Sequence, residues 1–370
     1  MTIGIPTEVK EQEYRVGMTP VGVLELTARG HRVLVQSGAG AGSAIPDEEY
    51  VAAGATILVT PDEVWGEADM VVKVKEPRPE EYHRLRDGLV LFTYLHLAAA
   101  PDCARALLDA GTVGIAYETV QLPSGMLPLL YPMSEVAGAL APQVGAHALM
   151  MAQGGRGVLL GGVGGVDNAK VVVLGGGVAG QNAADIALGM GADVTILDTD
   201  LDKLRLSMWR HHHRVHQIAS SALTVRRAVA EADLVIGAVL VPGARAPRLV
   251  TNEMVAGMKP GSVLVDIAID QGGCFEDSRP STHADPTYRV HGSTFYCVAN
   301  MPGAVPRTST YALANATLPY VLRLADHGWR SACDADPALA VGVNTCAGRV
   351  THPAVAEALG QELGTWRAVR

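Results

Sequence analysis

The sequence predicts an α/β protein made of two doubly wound parallel-sheet domains. Short apolar segments alternate with helix-like segments over most of the chain, the usual pattern of parallel strands joined by helices. A glycine-rich strand–helix–strand stretch lies near the middle of the chain. At 370 residues the chain is also long enough for two domains, each with a core of its own.

Composition excludes several classes of partner. The net charge of −9 disfavours non-specific binding to nucleic acid or to an anionic membrane surface. No apolar run approaches the ~20 residues of a membrane span, and the amino terminus becomes polar too early for a signal peptide. The five cysteines form no CxxC pair, as is usual for reduced thiols. We therefore expect a cytoplasmic protein with neither a nucleic-acid nor a membrane partner.

The first part of the chain predicts an α/β domain. Apolar segments predict strands at 3–5, 32–36, 55–59, 70–75, 89–96 and 113–120. Helical patterns lie between them, at 21–29, after Thr60 and Pro61, near 80–86 and at 101–110. We assign residues 1–128 to this domain, which we expect to be the substrate domain. The run from Pro306 has helical periodicity, and residues 306–370 are expected to complete the same domain.

Polar side chains follow several of these strands. Lys75, His96 and Glu118 come at or directly after strand ends, and Arg15 lies in the loop after the first strand. Ligands of open parallel sheets bind beyond the carboxyl ends of the strands. Two cations beside a histidine suggest a site for a small carboxylate with a proton-transfer group next to it. The alternative is that these residues are solvated surface groups or have structural roles.

The central stretch carries the most specific motif. Val171 to Leu174 predict a strand that leads into Gly175, Gly177 and Gly180, and a second apolar segment ends in Asp198. The glycines permit a sharp turn, close approach of a pyrophosphate and close packing of the helix on the strand. The helix amino terminus favours phosphate. Asp198 can accept hydrogen bonds from a ribose diol, and it would repel a 2′-phosphate, so the stretch predicts a Rossmann domain that binds NAD.

The second half of the Rossmann domain follows the same alternation. Strands are predicted at 234–240, 263–267 and 295–300, with helices ending near 232 and covering 251–258. A helical connector at 133–154 precedes the glycine-rich stretch, with Ser134 able to cap it and Pro142 expected to kink or divide it. We assign residues 129–305 to the NAD-binding domain.

A histidine cluster lies within this domain at His211, His212, His213 and His216. A metal site is conceivable because His212 and His216 would lie one helical turn apart, but cysteine and carboxylate ligands are missing nearby. The cluster has basic neighbours, so we predict a solvated helix face and no metal.

Several long blocks resemble one family. GIPTEVKEQEYRV, VKVKEP, FTYLHLA, AYETVQ, PMSEVAG, LVIGAVLVPGARAP, VDIAIDQGGCFE and CVANMPGAVPRTSTYAL are similar to NAD-dependent L-alanine dehydrogenase, of the alanine dehydrogenase and transhydrogenase α-subunit family. The resemblance implies an oxidoreductase of amino-acid catabolism that converts L-alanine reversibly to pyruvate and ammonia with NAD, and a homohexamer. It also implies that the NAD-binding domain is inserted in the chain of the N-terminal domain, which the C-terminal segment completes. The chain departs from the family at Ala139, at Pro142 and around the histidine cluster.

The resemblance also implies roles for individual residues. Arg15 and Lys75 would hold the substrate carboxylate, and His96 and Asp270 would be the catalytic pair. The residues implied or predicted to bind the cofactor are Ser134, Gly175, Gly177, Val178, Ala179, Gly180, Asp198, Lys203, Ser220, Val239, Leu240, Ile267, Ala268, Ile269, Asp270, Arg279, Val298, Asn300 and Met301.

Two alternatives come from other classes. One is the soluble NAD-binding subunit of a proton-translocating transhydrogenase, which would need a membrane partner. The other is a non-catalytic NAD-binding sensor, which is disfavoured because Arg15, Lys75, His96 and Asp270 are all present.

Overall fold

The structure is a computed structural model that describes residues 1–239 and 246–368. The chain divides into two compact units. One unit comprises Met1–Met133 together with Val305–Arg370, and the other comprises Ser134–Ala304. We refer to them as the outer unit and the inserted unit. Each contains a mainly parallel sheet with helices, so the predicted α/β class with one domain inserted in the other is confirmed.

The described residues form strands and helices in regular alternation. The strands are β1 (Thr2–Ile5), β2 (Arg32–Gln36), β3 (Thr56–Leu58), β4 (Met70–Val72), β5 (Val90–Thr93), β6 (Val113–Ala116), β7 (Lys170–Leu174), β8 (Asp193–Asp198), β9 (His216–Ala219), β10 (Leu234–Gly237), β11 (Val263–Asp266), β12 (Thr287–Val290), β13 (Ser293–Tyr296), β14 (Val343–Cys346) and β15 (Arg349–Val350). The α-helices are α1 (Pro20–Ala28), α2 (Asp47–Ala52), α3 (Pro61–Glu67), α4 (Pro101–Asp109), α5 (Tyr131–Ala148), α6 (Val178–Gly189), α7 (Leu201–Arg210), α8 (Ala222–Glu231), α9 (Asn252–Ala256), α10 (Pro306–Ala335), α11 (Pro337–Val341) and α12 (Pro353–Leu359).

The outer unit has an eight-stranded sheet in the order β15-β14-β6-β5-β4-β1-β2-β3. Strands β1 to β6 are parallel, as predicted, and β14 and β15 add an antiparallel edge that the sequence did not predict. The predicted helix start at Thr60 is confirmed. The Thr60 hydroxyl accepts from the Glu63 backbone N–H, and the Glu63 carboxylate accepts from the Thr60 N–H, so both groups are paired where α3 begins.

The inserted unit has a seven-stranded sheet in the order β12-β13-β11-β10-β7-β8-β9. All strands except the edge strand β12 are parallel. The chain moves outward from β7 through β8 to β9 and then resumes at β10 on the other side of β7. Strand order therefore reverses between β7 and β10, the place where ligands of such sheets bind. Phe275 and Phe295 meet edge to face, 6.0 Å between ring centroids, in the core on one side of this sheet.

Pro142 does not divide the connector helix, so of the two predicted outcomes, a kink or a division, division is excluded. Helix α5 runs through Pro142 without a break, and Ser134 lies in its first turn instead of capping it. Leu140 and Ala141 are buried, and the Gln143 side-chain amide donates to the Ala139 carbonyl at 3.0 Å in the same turn. Packing of the neighbouring residues therefore outweighs the hydrogen bond that proline cannot donate.

The histidine cluster does not form a solvated helix face, because its members lie on different elements. His211 follows α7 and is buried, with Nε2 2.8 Å from Gln181 Oε1 and Nδ1 2.9 Å from Asp185 Oδ1. Burial lowers the pKa of His211. His212 and His213 are exposed in the following turn, and His216 is exposed on β9. Over the described ranges, no group of three or more potential ligands is placed to hold a metal ion.

Within the same described ranges, every helix is too short or too polar to cross a membrane.

Candidate active site

The turn after β7 has the geometry of a phosphate-binding loop. Gly175 has a φ of 103°, and a Cβ placed there would lie 2.7 Å from the Ala238 carbonyl oxygen. A side chain is therefore excluded at the point where β7 and β10 separate. Gly177 immediately precedes α6, and a Cβ there would meet no protein atom within 4 Å. The amino terminus of α6 thus faces open space, with backbone N–H groups available to an anion.

Two further glycines bring helices close to this turn. A Cβ on Gly180 would lie 1.8 Å from the Gly175 carbonyl oxygen, so only glycine lets α6 lie against the end of β7. A Cβ on Gly138 of α5 would lie 2.2 Å from the Ala179 carbonyl oxygen. The sequence indicated the first contact through its motif. The second was missed, because nothing local links α5 to α6.

Asp198 lies at the end of β8 beside the same turn. Its carboxylate accepts from the backbone N–H groups of Gly176 at 2.7 Å and Asp200 at 2.8 Å. Lys203 Nζ lies 3.7 Å from the same carboxylate. These contacts fix the Asp198 carboxylate next to the glycine turn, with Lys203 as a paired cation.

The other candidate cofactor residues follow the carboxyl ends of the parallel strands. Ser220 follows β9, Val239 follows β10, and Ile267, Ala268, Ile269 and Asp270 follow β11. Val298, Asn300 and Met301 follow β13, and Arg279 packs over Tyr288 with 4.1 Å from its guanidinium carbon to the ring centroid. Ser134 is partly buried on α5. Leu240 lies outside the described residues.

In the outer unit, Arg15 is buried in the loop after β1. Its Nε and Nη2 donate to the two oxygens of Glu13 at 2.6 and 2.5 Å, and Nη1 lies 3.1 Å from Met133 Sδ. Burial alone would lower the pKa of Arg15, but the Glu13 carboxylate outweighs it and the pKa is raised. A cavity of about 280 Å³ opens beside these residues. The site therefore presents a permanently charged, oriented guanidinium next to a cavity.

Lys75 lies just beyond β4 and is also buried. Glu8 holds this segment, accepting from the backbone N–H of Val74 at 2.6 Å and of Lys75 at 3.3 Å. Behind it Lys73 is fully buried between Glu8 at 3.4 Å and Glu81 at 2.7 Å. Burial raises the pKa of Glu8, although Lys73 opposes the shift. The sequence suggested Lys75 but contained no sign of the carboxylate that orders its backbone.

His96 follows β5 in a left-handed conformation, with a φ of 47°. Glu118 follows the neighbouring strand β6, and its carboxylate accepts from the N–H of His96 at 2.6 Å and of Leu95 at 3.2 Å. The same carboxylate lies 3.9 Å from His96 Nδ1, and the imidazole stacks on Tyr94 at 5.7 Å. The imidazole is partly exposed. Its position is fixed by the hydrogen bond from the His96 N–H to Glu118 and by stacking on Tyr94, as a proton-transfer group requires.

Asp270, the other proposed catalytic residue, lies in the inserted unit. It is exposed in the 3₁₀ turn Ile267–Gln271, directly after β11. The structure thus brings Arg15, Lys75 and His96 to the strand ends of the outer unit, and Asp198 and Asp270 to the strand ends of the inserted unit.

The open-sheet fold, the glycine turn at the strand-order reversal and the acidic strand end define the inserted unit as a dinucleotide-binding domain. Two family models match most of the chain. The N-terminal domain of alanine dehydrogenase/PNT matches residues 4–137, and the C-terminal domain of the same family matches residues 141–353. The chain belongs to the alanine dehydrogenase/PNT family, whose members imply a nicotinamide dinucleotide cofactor.

Individual proteins agree with this assignment. The chain is 63% identical to alanine dehydrogenase of Mycobacterium tuberculosis over 97% of both chains. A solved L-alanine dehydrogenase superposes with a TM-score of 0.94 at 51% identity, covering 97% of this chain and 99% of that one. A transhydrogenase from Sinorhizobium meliloti is more distant, with a TM-score of 0.80 and 28% identity over 96% of this chain and 100% of that one.

Proposed function

We propose that the protein catalyses the reversible oxidative deamination of L-alanine to pyruvate and ammonia with NAD. The observation that carries this proposal is the 63% identity to alanine dehydrogenase over 97% of both chains. The strand-end residues of both units support it, because they supply a carboxylate clamp, a proton-transfer group and a dinucleotide cradle.

The residues of the inserted unit fit a dinucleotide. The open space at Gly177 would admit a pyrophosphate to the N–H groups that begin α6, and Asp198 would accept from the adenosine ribose. When bound, the nicotinamide supplies a two-electron acceptor for the hydride that leaves the substrate Cα. We assign NAD and not NADP, because the Asp198 carboxylate would repel a 2′-phosphate, and Lys203, 3.7 Å away, already pairs with that carboxylate.

In the outer unit, Arg15 and Lys75 would hold the carboxylate of alanine or pyruvate. A guanidinium oriented by Glu13 and an ammonium whose backbone is held by Glu8 give a charge-complementary pair. His96 would move the protons. Loss of hydride leaves an iminium carbon that water attacks, so a proton must leave the water and another must reach the departing ammonia.

Asp270 would stabilise the positive charge that develops as the amine becomes an iminium, and would position the attacking water. Its carboxylate is exposed, which leaves it able to receive a substrate. From the family resemblance we further propose a homohexamer in the cytoplasm. Light scattering of the purified protein coupled to size exclusion measures the number of subunits, and a monomer would contradict the hexamer.

The test of the reaction is spectrophotometric. Purified protein is incubated with NAD and each of a panel of L-amino acids, and NADH is followed at its absorbance band. We expect turnover with alanine to exceed that with other amino acids, and NADH to be consumed with pyruvate and ammonium. NADH binding without turnover of any amino acid would favour the sensor. Hydride exchange between NADH and an NADP analogue that appears only when a transhydrogenase membrane partner is added, without amino-acid turnover, would favour the transhydrogenase subunit.

Cofactor choice has its own test. We expect kcat/KM for NAD to exceed that for NADP by at least ~100-fold, because Asp198 both accepts from the diol and repels the extra phosphate. Asp198→Ala should narrow the ratio mainly by lowering kcat/KM for NAD. Asp200→Ala is the matched control, since that exposed carboxylate caps α7. Equal use of the two cofactors by the unmodified protein contradicts the assignment.

A further inference from the structure

A buried carboxylate organises the segment that carries Asp270. Strand β11 ends at Asp266, whose side chain is completely buried. Its Oδ1 accepts from the backbone N–H of Ala268 at 3.0 Å. Its Oδ2 accepts from the N–H of Cys274 at 2.8 Å and from the hydroxyl of Ser278 at 2.5 Å. One carboxylate therefore joins three points along the chain, on both sides of Asp270.

The backbone between these points is shaped to fold back on Asp266. Gly272 and Gly273 have φ values of 94° and 79°, a region that side chains seldom adopt. A Cβ on Gly273 would lie 2.7 Å from Asp266 Oδ2 and 2.6 Å from Ser278 Cβ. The chain after the turn Ile267–Gln271 thus packs directly against the Asp266 carboxylate, with no room for a side chain at Gly273.

The chemistry of Asp266 matches a scaffolding role. Burial raises the pKa of its carboxyl group, and the donors from Ser278 and Cys274 oppose that shift. A carboxylate accepts more hydrogen bonds than an amide oxygen and donates none, so it suits a position that faces several donors. Burying such a group is costly unless its lone pairs are used, and here they bind the turn.

We infer that Asp266 is a positioning residue for the reaction: it holds the turn Ile267–Gln271 in the one conformation that presents the Asp270 carboxylate to the substrate. This rests on the proposed function, because Asp270 acts only if that function is correct. The Asp270 side chain is exposed and belongs to a short turn, so its placement depends on the backbone beneath it. A displacement of ~1 Å at such a group can cost ~100-fold in rate.

The first experiment compares Asp266→Asn with Asp233→Asn. Asparagine at 266 places an N–H₂ donor against either the Cys274 N–H or the Ala268 N–H, whichever way the amide turns, so one hydrogen bond is lost and the turn must move. Asp233 is a matched control, since it is buried directly before the amino end of the neighbouring strand β10, whereas Asp266 ends β11, and it accepts from the Lys170 N–H at 2.8 Å. At saturating NAD, we expect Asp266→Asn to lower kcat by about 10- to 100-fold. Asp233→Asn should lower the melting temperature with kcat within about 2-fold, as expected for a group far from the chemistry.

A double-mutant cycle separates positioning from general damage. If Asp266 acts through Asp270, the variant carrying both Asp266→Asn and Asp270→Asn should have a kcat within about 3-fold of Asp270→Asn alone. If the fold-losses in kcat of the two single variants multiply in the double variant, Asp266 has a merely structural role and the inference is overturned. A kcat for Asp266→Asn within about 3-fold of the unmodified protein would overturn it too.

Two outcomes distinguish failure of the inference from failure of the proposed function. If Asp270→Asn retains full kcat, the assigned role of Asp270 is wrong, whatever Asp266 does. If Asp270→Asn is inactive but Asp266→Asn is not, only the inference is wrong. Should Asp266→Asn fail to fold, Ser278→Ala removes one of the three hydrogen bonds and leaves the carboxylate in place. We then expect Ser278→Ala to lower kcat by about 3- to 10-fold. Added to Asp270→Asn, it should lower kcat no further. A further fall in kcat in that double variant would overturn the inference.

Discussion

The two units share a strand order but differ in the connection between their first strand and first helix. The orders β3-β2-β1-β4-β5-β6 and β9-β8-β7-β10-β11-β13 are equivalent, with a reversal beside β1 in one unit and beside β7 in the other. In the inserted unit, a short glycine turn leads straight from β7 into α6. In the outer unit, a long loop between β1 and α1 contains Glu8, Glu13 and Arg15, all buried.

With the ligands proposed for the two units, topology places each site and the connecting loop decides which ligand it takes. Backbone N–H groups at the start of a helix suit a phosphate, which can approach closely only where side chains are absent. Cationic side chains held by buried carboxylates suit a small carboxylate that needs two oriented partners. We therefore expect variants of the inserted unit to affect cofactor binding and variants of the outer unit to affect the substrate.

The largest expected effect concerns proton transfer in the outer unit. His96→Ala should lower kcat by at least ~100-fold, because a general acid or base usually contributes that much. NADH affinity, measured by fluorescence, should stay within about 2-fold, since His96 is not a cofactor residue. His83→Ala is the control, because that histidine is exposed. A His96→Ala variant that kept more than about a tenth of the kcat would indicate a structural histidine.

Two glycine substitutions should separate folding from cofactor binding in the inserted unit. Gly180→Ala drives a Cβ into the Gly175 carbonyl, so we expect a loss of roughly 1–3 kcal/mol in the free energy of unfolding. Gly177→Ala meets no protein atom, so its melting temperature should hardly change. Its Cβ would occupy the proposed pyrophosphate position, and NADH affinity should fall by ~10-fold or more, which is ~1.4 kcal/mol. Unchanged NADH affinity in Gly177→Ala would exclude that position.

Removing a cation from the outer unit should affect the substrate alone. Lys75→Ala and Arg15→Ala should each raise KM for alanine and pyruvate by ~10-fold or more, because the substrate carboxylate loses a charged partner. KM for NAD should change little. Arg29→Ala serves as the control, since Arg29 pairs with Asp326 near the surface. If KM for NAD rose as much as KM for alanine, the assignment of the two ligands to separate units would be wrong.

The smallest effect concerns the pH dependence of stability through His211. Burial lowers its pKa in the folded protein below the unfolded value of ~6.5, so folding favours the neutral imidazole. This contribution to stability is complete above pH ~6.5 and is lost as the pH falls toward the folded pKa. His211→Asn should therefore flatten the decline in melting temperature between pH 7 and pH 5. His212→Asn, at the exposed neighbouring position, should retain the decline of the unmodified protein.

Local sequence patterns were sufficient to predict the central strands and the strand ends at which the candidate side chains lie. Buried parallel strands such as β2 and β7 are continuous apolar runs, and the glycine motif has a fixed structural context. The strands β12, β14 and β15 were missed because they are short, and β14 in addition exists through pairing with the distant strand β6. Division of α5 at Pro142 was predicted as one of two outcomes and does not occur, since the packing that keeps a proline within a helix is tertiary.

The carboxylates that hold the site together could not be predicted. Glu8, Glu13 and Asp266 contact backbone N–H groups or a buried cation, and none of these contacts leaves a recognisable motif. Glu118 was noticed only as a polar residue at a strand end. We predicted His211 on the surface because a run of basic residues usually lies there. Its partners on α6, the side-chain oxygens of Gln181 and Asp185, are brought to it only by the fold.

The insertion of one unit in the other imposes an order on synthesis. Strand β6 pairs on one side with β14, which the ribosome makes only after the whole of the inserted unit. During translation the outer unit therefore has a sheet edge at Val113–Ala116 without its final neighbour, while the inserted unit can already be complete. Such an edge can pair with another nascent chain. After β14 has been made, slow folding of the inserted unit would delay the pairing of β14 with β6. A slow-folding variant of the inserted unit should therefore aggregate through the outer unit.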